Sequence, residues 1–167
     1  MTRRPVWPLF LGLAAIVVAA DQLSKAWIKA TLAPGASMSV VGDLLRLVHG
    51  QNSGALFGLF RDNALLFGLV SIAVIALIVV YHGRSGRSIY LSVTLGFLLG
   101  GAVGHMIDRL TIGYVVDFVD AGFGNLRFYT FNVADTAISL AVLLLILVAI
   151  RPSLADGEVR PQTRGDA

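Results

Sequence analysis

Apolar positions along the chain gather into four long runs separated by short polar stretches. A membrane-crossing helix needs about 20 mostly apolar residues. Runs at about 6–28, 63–81, 90–107 and 133–150 satisfy that length and predict four helices. The second and fourth have unbroken apolar cores, ALLFGLVSIAVIALIVVY and ISLAVLLLILVAI, whereas the first and third carry charge at one end. Pro8 falls in the first turn of its helix, where the missing N–H does little harm. Pro152 follows the last helix, which it cannot continue. Between the runs the period changes. MSVVGDLLRLVH, residues 38–49, reads as two short strands around a Gly42-Asp43 turn. Residues 114–131 are rich in β-branched and aromatic side chains, with a break at AGFGN.

The predicted fold class is an all-α membrane protein: a four-transmembrane-helix bundle with a small extracytoplasmic β-subdomain from segments at about 37–49 and 114–131. One membrane-embedded domain spans 1–151, and the polar segment 152–167 reads as a disordered cytoplasmic tail. No internal repeat is apparent.

Composition supports the membrane reading. The 167 residues are 56% hydrophobic and 14% charged, with mean hydropathy +0.80, more apolar surface than a soluble domain of this length can hide. The absence of cysteine excludes disulfides and thiolate chemistry. The net charge is only +3, and no basic run suggests nucleic acid. The distribution of charge says more. Arg3, Arg4, Arg84, Arg87, Arg151, Arg160 and Arg164 make one side of the bundle the more basic, and this predicts both termini in the cytoplasm. The stretch 114–135 then lies on the outer face. The N-terminus has the basic start and apolar run of a secretory signal peptide, but it leads into DQLSKAWIK rather than a cleavage-site loop, so it reads as an uncleaved first helix.

Four constellations could carry chemistry. Asp21 and Lys25, one helical turn apart, read either as a snorkelling pair at the membrane edge or as a brace for a site; Trp27 beside them fits an interfacial belt. Gln51-Asn52-Ser53-Gly54 reads, taken alone, as an ordinary turn, although the Asn52 amide could hold a peptide backbone or a lipid carbonyl. Gly96, Gly100 and Gly104 form a stripe that admits a close neighbouring helix, and Asp108 extends the stripe, which points that acid inward. The fourth lies in 114–135. Asn132 is placed to cap the last helix, with Asp135 at its third position, where the helix dipole favours a negative charge without any catalysis. Asp117, in the apolar YVVDFV, has no such explanation. Asp120 adjoins the AGFGN break and reads as an ordinary loop acid.

Two carboxylates brought close share a proton, so that one acts as base on water while the other, protonated, polarises a scissile carbonyl. His49, His82 and His105 lack zinc-ligand spacing, and neither HExxH nor GxSxG is present. A proton-coupled transporter would spread its carboxylates across membrane depth; a non-catalytic lipid-binding protein would hold Asp117 and Asp135 far apart.

Asp21-Gln22…Lys25, Asn52-Ser53-Gly54-Ala55, Gly100-Gly101…Gly104…Asp108-Arg109, Val115-Val116-Asp117-Phe118 and Phe131-Asn132-Val133-Ala134-Asp135 resemble, in order and spacing, the motifs of lipoprotein signal peptidase (signal peptidase II). The resemblance implies a bacterial inner-membrane aspartyl endopeptidase without metal or cofactor. Such an enzyme cuts diacylglyceryl-modified prolipoproteins just before the lipidated cysteine, and it is inhibited by globomycin-type compounds. Membrane lipid is its surroundings, nucleic acid is no partner, and a monomer is expected. The catalytic dyad maps onto Asp117 and Asp135; site support or substrate binding maps onto Asp21, Lys25, Asn52, Asp108, Arg109 and Asn132. One departure stands out: where the family pattern has Asn before the Asp-Arg pair, this sequence has His105, which replaces only part of the amide's hydrogen bonding and can carry charge.

Overall fold

The structure, a computed structural model, describes residues 5–54, 64–86 and 88–156. In chain order the elements are α1 (Trp7–Thr31), β1 (Ser37–Val41), β2 (Leu45–Asn52), α2 (Ala64–Ser85), α3 (Ile89–Thr111), β3 (Val115–Phe123), β4 (Leu126–Arg127), α4 (Val133–Ile150) and α5 (Ser153–Asp156). Helices α1 to α4 are each long and apolar enough to cross a membrane. Leu65, Leu69, Leu77, Leu143, Ile146 and Ile150 on α2 and α4 point outward, as a lipid-facing surface requires.

Helix α3 is the central one, packing against α1, α2 and α4. Its glycines explain how. A Cβ on Gly100 would lie 2.6 Å from Val17 Cβ and 2.9 Å from the Ala14 carbonyl oxygen, and one on Gly101 would lie 2.7 Å from the Ala134 carbonyl oxygen. The predicted stripe therefore faces α1, and Gly101 opens the other flank to α4. Phe10, Ala14, Ile78, Leu91, Leu95, Leu99 and Ala102 fill the core between α1, α2 and α3. Helices α1, α2 and α3 run beyond the predicted ends at about 28, 81 and 107, to Thr31, Ser85 and Thr111. Apolar periodicity marks where lipid stops, whereas the helical backbone continues through polar turns that hold exposed Lys29 and Arg84 and, in α3, Asp108 paired with Lys25.

The four strands form one antiparallel sheet in the order β1-β2-β3-β4. Gly42 and Gly124 take positive φ of 50° and 53° in the two hairpin turns. The break expected over AGFGN is narrower, because Ala121, Gly122 and Phe123 remain in β3. Val116 and Phe118 pack on Ile28, which seats the sheet on the end of α1. Opposite Asp117 stands Gly50, where a Cβ would lie 2.8 Å from the Asp117 carbonyl oxygen.

Asp120 is not the loop acid the sequence suggests. It lies in β3, 6% exposed, where Arg46 Nη2 at 2.8 Å and Arg127 Nε at 2.6 Å both donate to its carboxylate. Beyond α4, where a disordered tail is expected from residue 152, Ser153–Asp156 forms a single helical turn; the Leu154 carbonyl accepts from Ser88 Oγ at 2.6 Å. Residues 157–167 lie outside the described residues, as do Ala55 and Arg61.

Candidate active site

Asp117 projects from β3 and is 5% exposed. Its Oδ1 accepts from Asn132 Nδ2 at 2.7 Å and its Oδ2 from Asn52 Nδ2 at 3.0 Å. Burial raises its pKa to about 6; the nearby Asp135 charge adds to the rise, and the two amides oppose it.

Asp135 stands in the first turn of α4. Asn132 caps that helix reciprocally: its Oδ1 accepts from the Asp135 N–H at 3.0 Å, and its own N–H donates to Asp135 Oδ2 at 3.0 Å. The remaining oxygen, Oδ1, lies 3.0 Å from His105 Nε2 on α3. Asn132 thus binds both carboxylates.

Behind them is a buried charge cluster. Lys25 Nζ, 1% exposed, is 2.7 Å from Asp21 Oδ2 and 2.8 Å from Asp108 Oδ2. Gln22 Nε2 donates to Asp21 Oδ2 at 3.1 Å and to Asp108 Oδ1 at 3.0 Å. Taking three charges out of water is costly unless every lone pair is met, and two backbone amides complete the set. The Ala134 N–H donates to Asp21 Oδ1 at 3.0 Å, and the Val116 N–H donates to Asp108 Oδ2 at 3.3 Å. Each of these amides belongs to the residue immediately before Asp135 or Asp117. The cluster therefore fixes the backbone at both carboxylates, and Asp21 and Lys25 act as a brace rather than a membrane-edge pair. Gly104 makes room for it, since a Cβ there would lie 2.7 Å from Asp21 Oδ2.

Both carboxylates open onto one cavity of about 560 Å³, lined also by Asn52, His105, Arg109 and Tyr129. Arg109 sits 5.0 Å over the Phe67 ring. Phe128 and Phe131 wall the cavity on the sheet side, Ile138 and Ser139 on the α4 side. Of the nine residues singled out in the sequence, Asn52, His105, Arg109, Asp117 and Asp135 line the cavity, Asp21, Lys25 and Asp108 form the cluster behind it, and Asn132 bonds both carboxylates. Sequence reasoning gave no role to Gln22, Gly50 or the Phe128-Tyr129 wall. The adjacency of Gln22 to Asp21 and the aromatic run before Asn132 were the available signals. Among the described residues, no group of three His, Asp or Glu side chains could hold a metal ion.

The family pattern described as Signal peptidase (SPase) II matches residues 13–151. The chain belongs to the signal peptidase II family. It is 40% identical over 142 residues to the lipoprotein signal peptidase of Syntrophomonas wolfei, covering 84% of this chain and 93% of that protein. It is 38% identical over 150 residues to that of Moorella thermoacetica, covering 89% and 97%. With that of Caulobacter vibrioides the identity is 44% over 145 residues, covering 81% and 83%. A bacterial membrane enzyme solved by the in meso method at 2.3 Å resolution superposes with a TM-score of 0.83 at 26% identity, covering 92% of this chain and 94% of that one. A second, at 1.9 Å, gives 0.81 at 27% identity, covering 90% and 98%. The chain is a membrane peptidase, a hydrolase of lipoprotein processing.

Proposed function

We infer that this signal peptidase II is an aspartyl endopeptidase that removes the signal peptide from diacylglyceryl-modified prolipoproteins, cutting before the lipidated cysteine. The observation that carries this reading is the convergence of Asp117 and Asp135, from β3 and α4, on one cavity with Asn132 bonded to both. One carboxylate takes a proton from water, and the resulting hydroxyl attacks the scissile carbonyl carbon. The other, protonated, donates a hydrogen bond to the carbonyl oxygen. The tetrahedral intermediate collapses as the leaving nitrogen gains a proton and the C–N bond breaks. The apolar wall of Phe131 and Ile138 suits a lipid-bearing substrate, and the Asn52 amide is placed to meet a peptide backbone. The enzyme works as a monomer at the outer face of the bacterial inner membrane, with both termini cytoplasmic and no metal or cofactor. Its partners are prolipoproteins, surrounding lipid and globomycin-type inhibitors.

The test is incubation of the purified protein with a diacylglyceryl-modified prolipoprotein. Cleavage is expected from the native enzyme and none from Asp117→Asn or Asp135→Asn, with both variants still inserting in membranes. Near-native cleavage by either variant rules out the dyad.

A further inference from the structure

His105 faces the cavity beside Asp117 and Asp135, and its surroundings are specific. Its ring lies on α3 with the side chain 12% exposed, and Nε2 is 3.0 Å from Asp135 Oδ1. Nδ1 is buried with no hydrogen-bond partner among the described residues. A proton on Nδ1 would be a buried donor without an acceptor, an arrangement that costs its full desolvation. Of the two neutral tautomers, the one with its proton on Nε2 avoids that cost and aims the proton at Asp135. The ionisable groups facing it are Asp135 on α4, Asp117 on β3, and Arg109 on α3 itself; deeper lie Asp108 and, on α1, Lys25 and Asp21. On helix α2 the ionisable groups are Tyr81, His82 and Arg84, at the opposite end of the bundle.

Donors at Asp135 and Asp117 differ in kind. Asp135 accepts from a backbone N–H at a helix N-terminus and from the ring, and its side chain is 38% exposed. Asp117 accepts from two side-chain amides and is buried, a setting that disfavours the charged form. We propose that His105 is a positioning residue whose neutral imidazole donates its Nε2–H to Asp135, making Asp135 the carboxylate that deprotonates water and leaving the dyad's proton on Asp117. This inference rests on the aspartyl peptidase reading and assigns the two roles within it. The imidazole exchanges no proton with substrate; it holds the base ionised and oriented.

The test compares native enzyme, His105→Leu and His105→Gln across a pH series, with kcat and KM resolved on a diacylglyceryl-modified prolipopeptide. Leucine fills the space without a donor, whereas glutamine places an amide N–H near the position of Nε2. Loss of a hydrogen bond to a charged group predicts that His105→Leu lowers kcat by about tenfold or more at unchanged KM. Its acid limb is expected to move to higher pH, and His105→Gln should restore both to near native. Nitrogen NMR of the histidine-labelled native enzyme is expected to show the Nε2–H tautomer for His105 at neutral pH, the signal being assigned by its loss in His105→Gln. Superimposable profiles for native and His105→Leu, a glutamine variant as impaired as leucine, or an imidazolium or Nδ1–H ring would each overturn the proposal. An active Asp117→Asn enzyme would instead sink the dyad itself, so the two failures are told apart.

Discussion

Asn132 Nδ2 donates to Asp117 Oδ1 at 2.7 Å, the shortest hydrogen bond that the carboxylate of Asp117 or Asp135 makes among the described residues. The same side chain caps α4 through its oxygen, so a single residue holds a strand carboxylate and a helix carboxylate in one frame. Capping and bridging can be separated by substitution. Asn132→Ala removes both: loss of the cap costs about 1 kcal/mol, and loss of the bond to Asp117 is expected to lower kcat/KM by about tenfold to a hundredfold. Asn132→Asp keeps a good cap and sets a third carboxylate against Asp117. Its melting temperature in detergent should stay near native while activity is lost. An active Asn132→Asp enzyme would show that the bridge to Asp117 is dispensable.

Asp117 links activity to pH. Burial raises its pKa from 3.8 to about 6, so the folded state binds its proton more tightly than the unfolded state does. The sign follows. Its contribution to stability is fully present below 3.8 and is lost as pH rises through about 6, a change of about 3 kcal/mol at most. Asp117→Asn should flatten the melting temperature across that window. If protonated Asp117 is the acid, kcat/KM falls on the alkaline side as it ionises. Asn52 stabilises the charged form, so Asn52→Leu should move that alkaline limb upward. A downward move in a pH–rate profile would contradict the assigned role of the Asn52 bond.

The Lys25 cluster predicts a loss of fold rather than of chemistry. Lys25→Met leaves Asp21 and Asp108 buried without their shared cation. Breaking a buried ion pair on one side typically costs about 3–5 kcal/mol. Thermal unfolding in detergent should show a large drop, and residual activity should track the folded fraction. A fully folded but inactive Lys25→Met protein would place Lys25 in the chemistry instead.

The four helices were legible because apolar run length is nearly a direct measure of membrane thickness. The glycine stripe was legible because spacing of four on a helix leaves no choice of face. What the sequence left open was partnership across the chain. Asp21 and Lys25 could have been an edge pair, since nothing local reveals that the Ala134 N–H and Asp108 arrive to complete them. Asn52 looked like a turn residue because its partner is 65 positions away. Asp120 was misread for the same reason: it adjoins the AGFGN break, but Arg46 comes from a strand 74 positions earlier. Long-range antiparallel register, set by bulges and turns, decides such partners, and no short window contains it.

That misread acid gives the final prediction. Arg46 and Arg127 converge on Asp120, and Arg127 also reaches Asp43, so one carboxylate ties β2, β3 and β4 to the first hairpin turn. The bonds from Arg127, then those from Arg46, hold the Asp120 carboxyl below the ordinary value of 3.8 against the opposing effect of burial. Its stabilisation is present above that ordinary value and is lost as pH falls through its lower native one. The residues that follow β4, Phe128 to Phe131, form a wall of the cavity. Loosening the clamp therefore loosens the wall without touching Asp117 or Asp135. Asp120→Ala is expected to raise KM severalfold while kcat stays within about twofold, since it frees the wall and leaves Asp117 and Asp135 in place. Amide hydrogen exchange should quicken in β1, β2 and β4 and stay native in α3. Unchanged exchange in the sheet, or a fall in kcat at constant KM, would mean that Asp120 does not act by holding the wall.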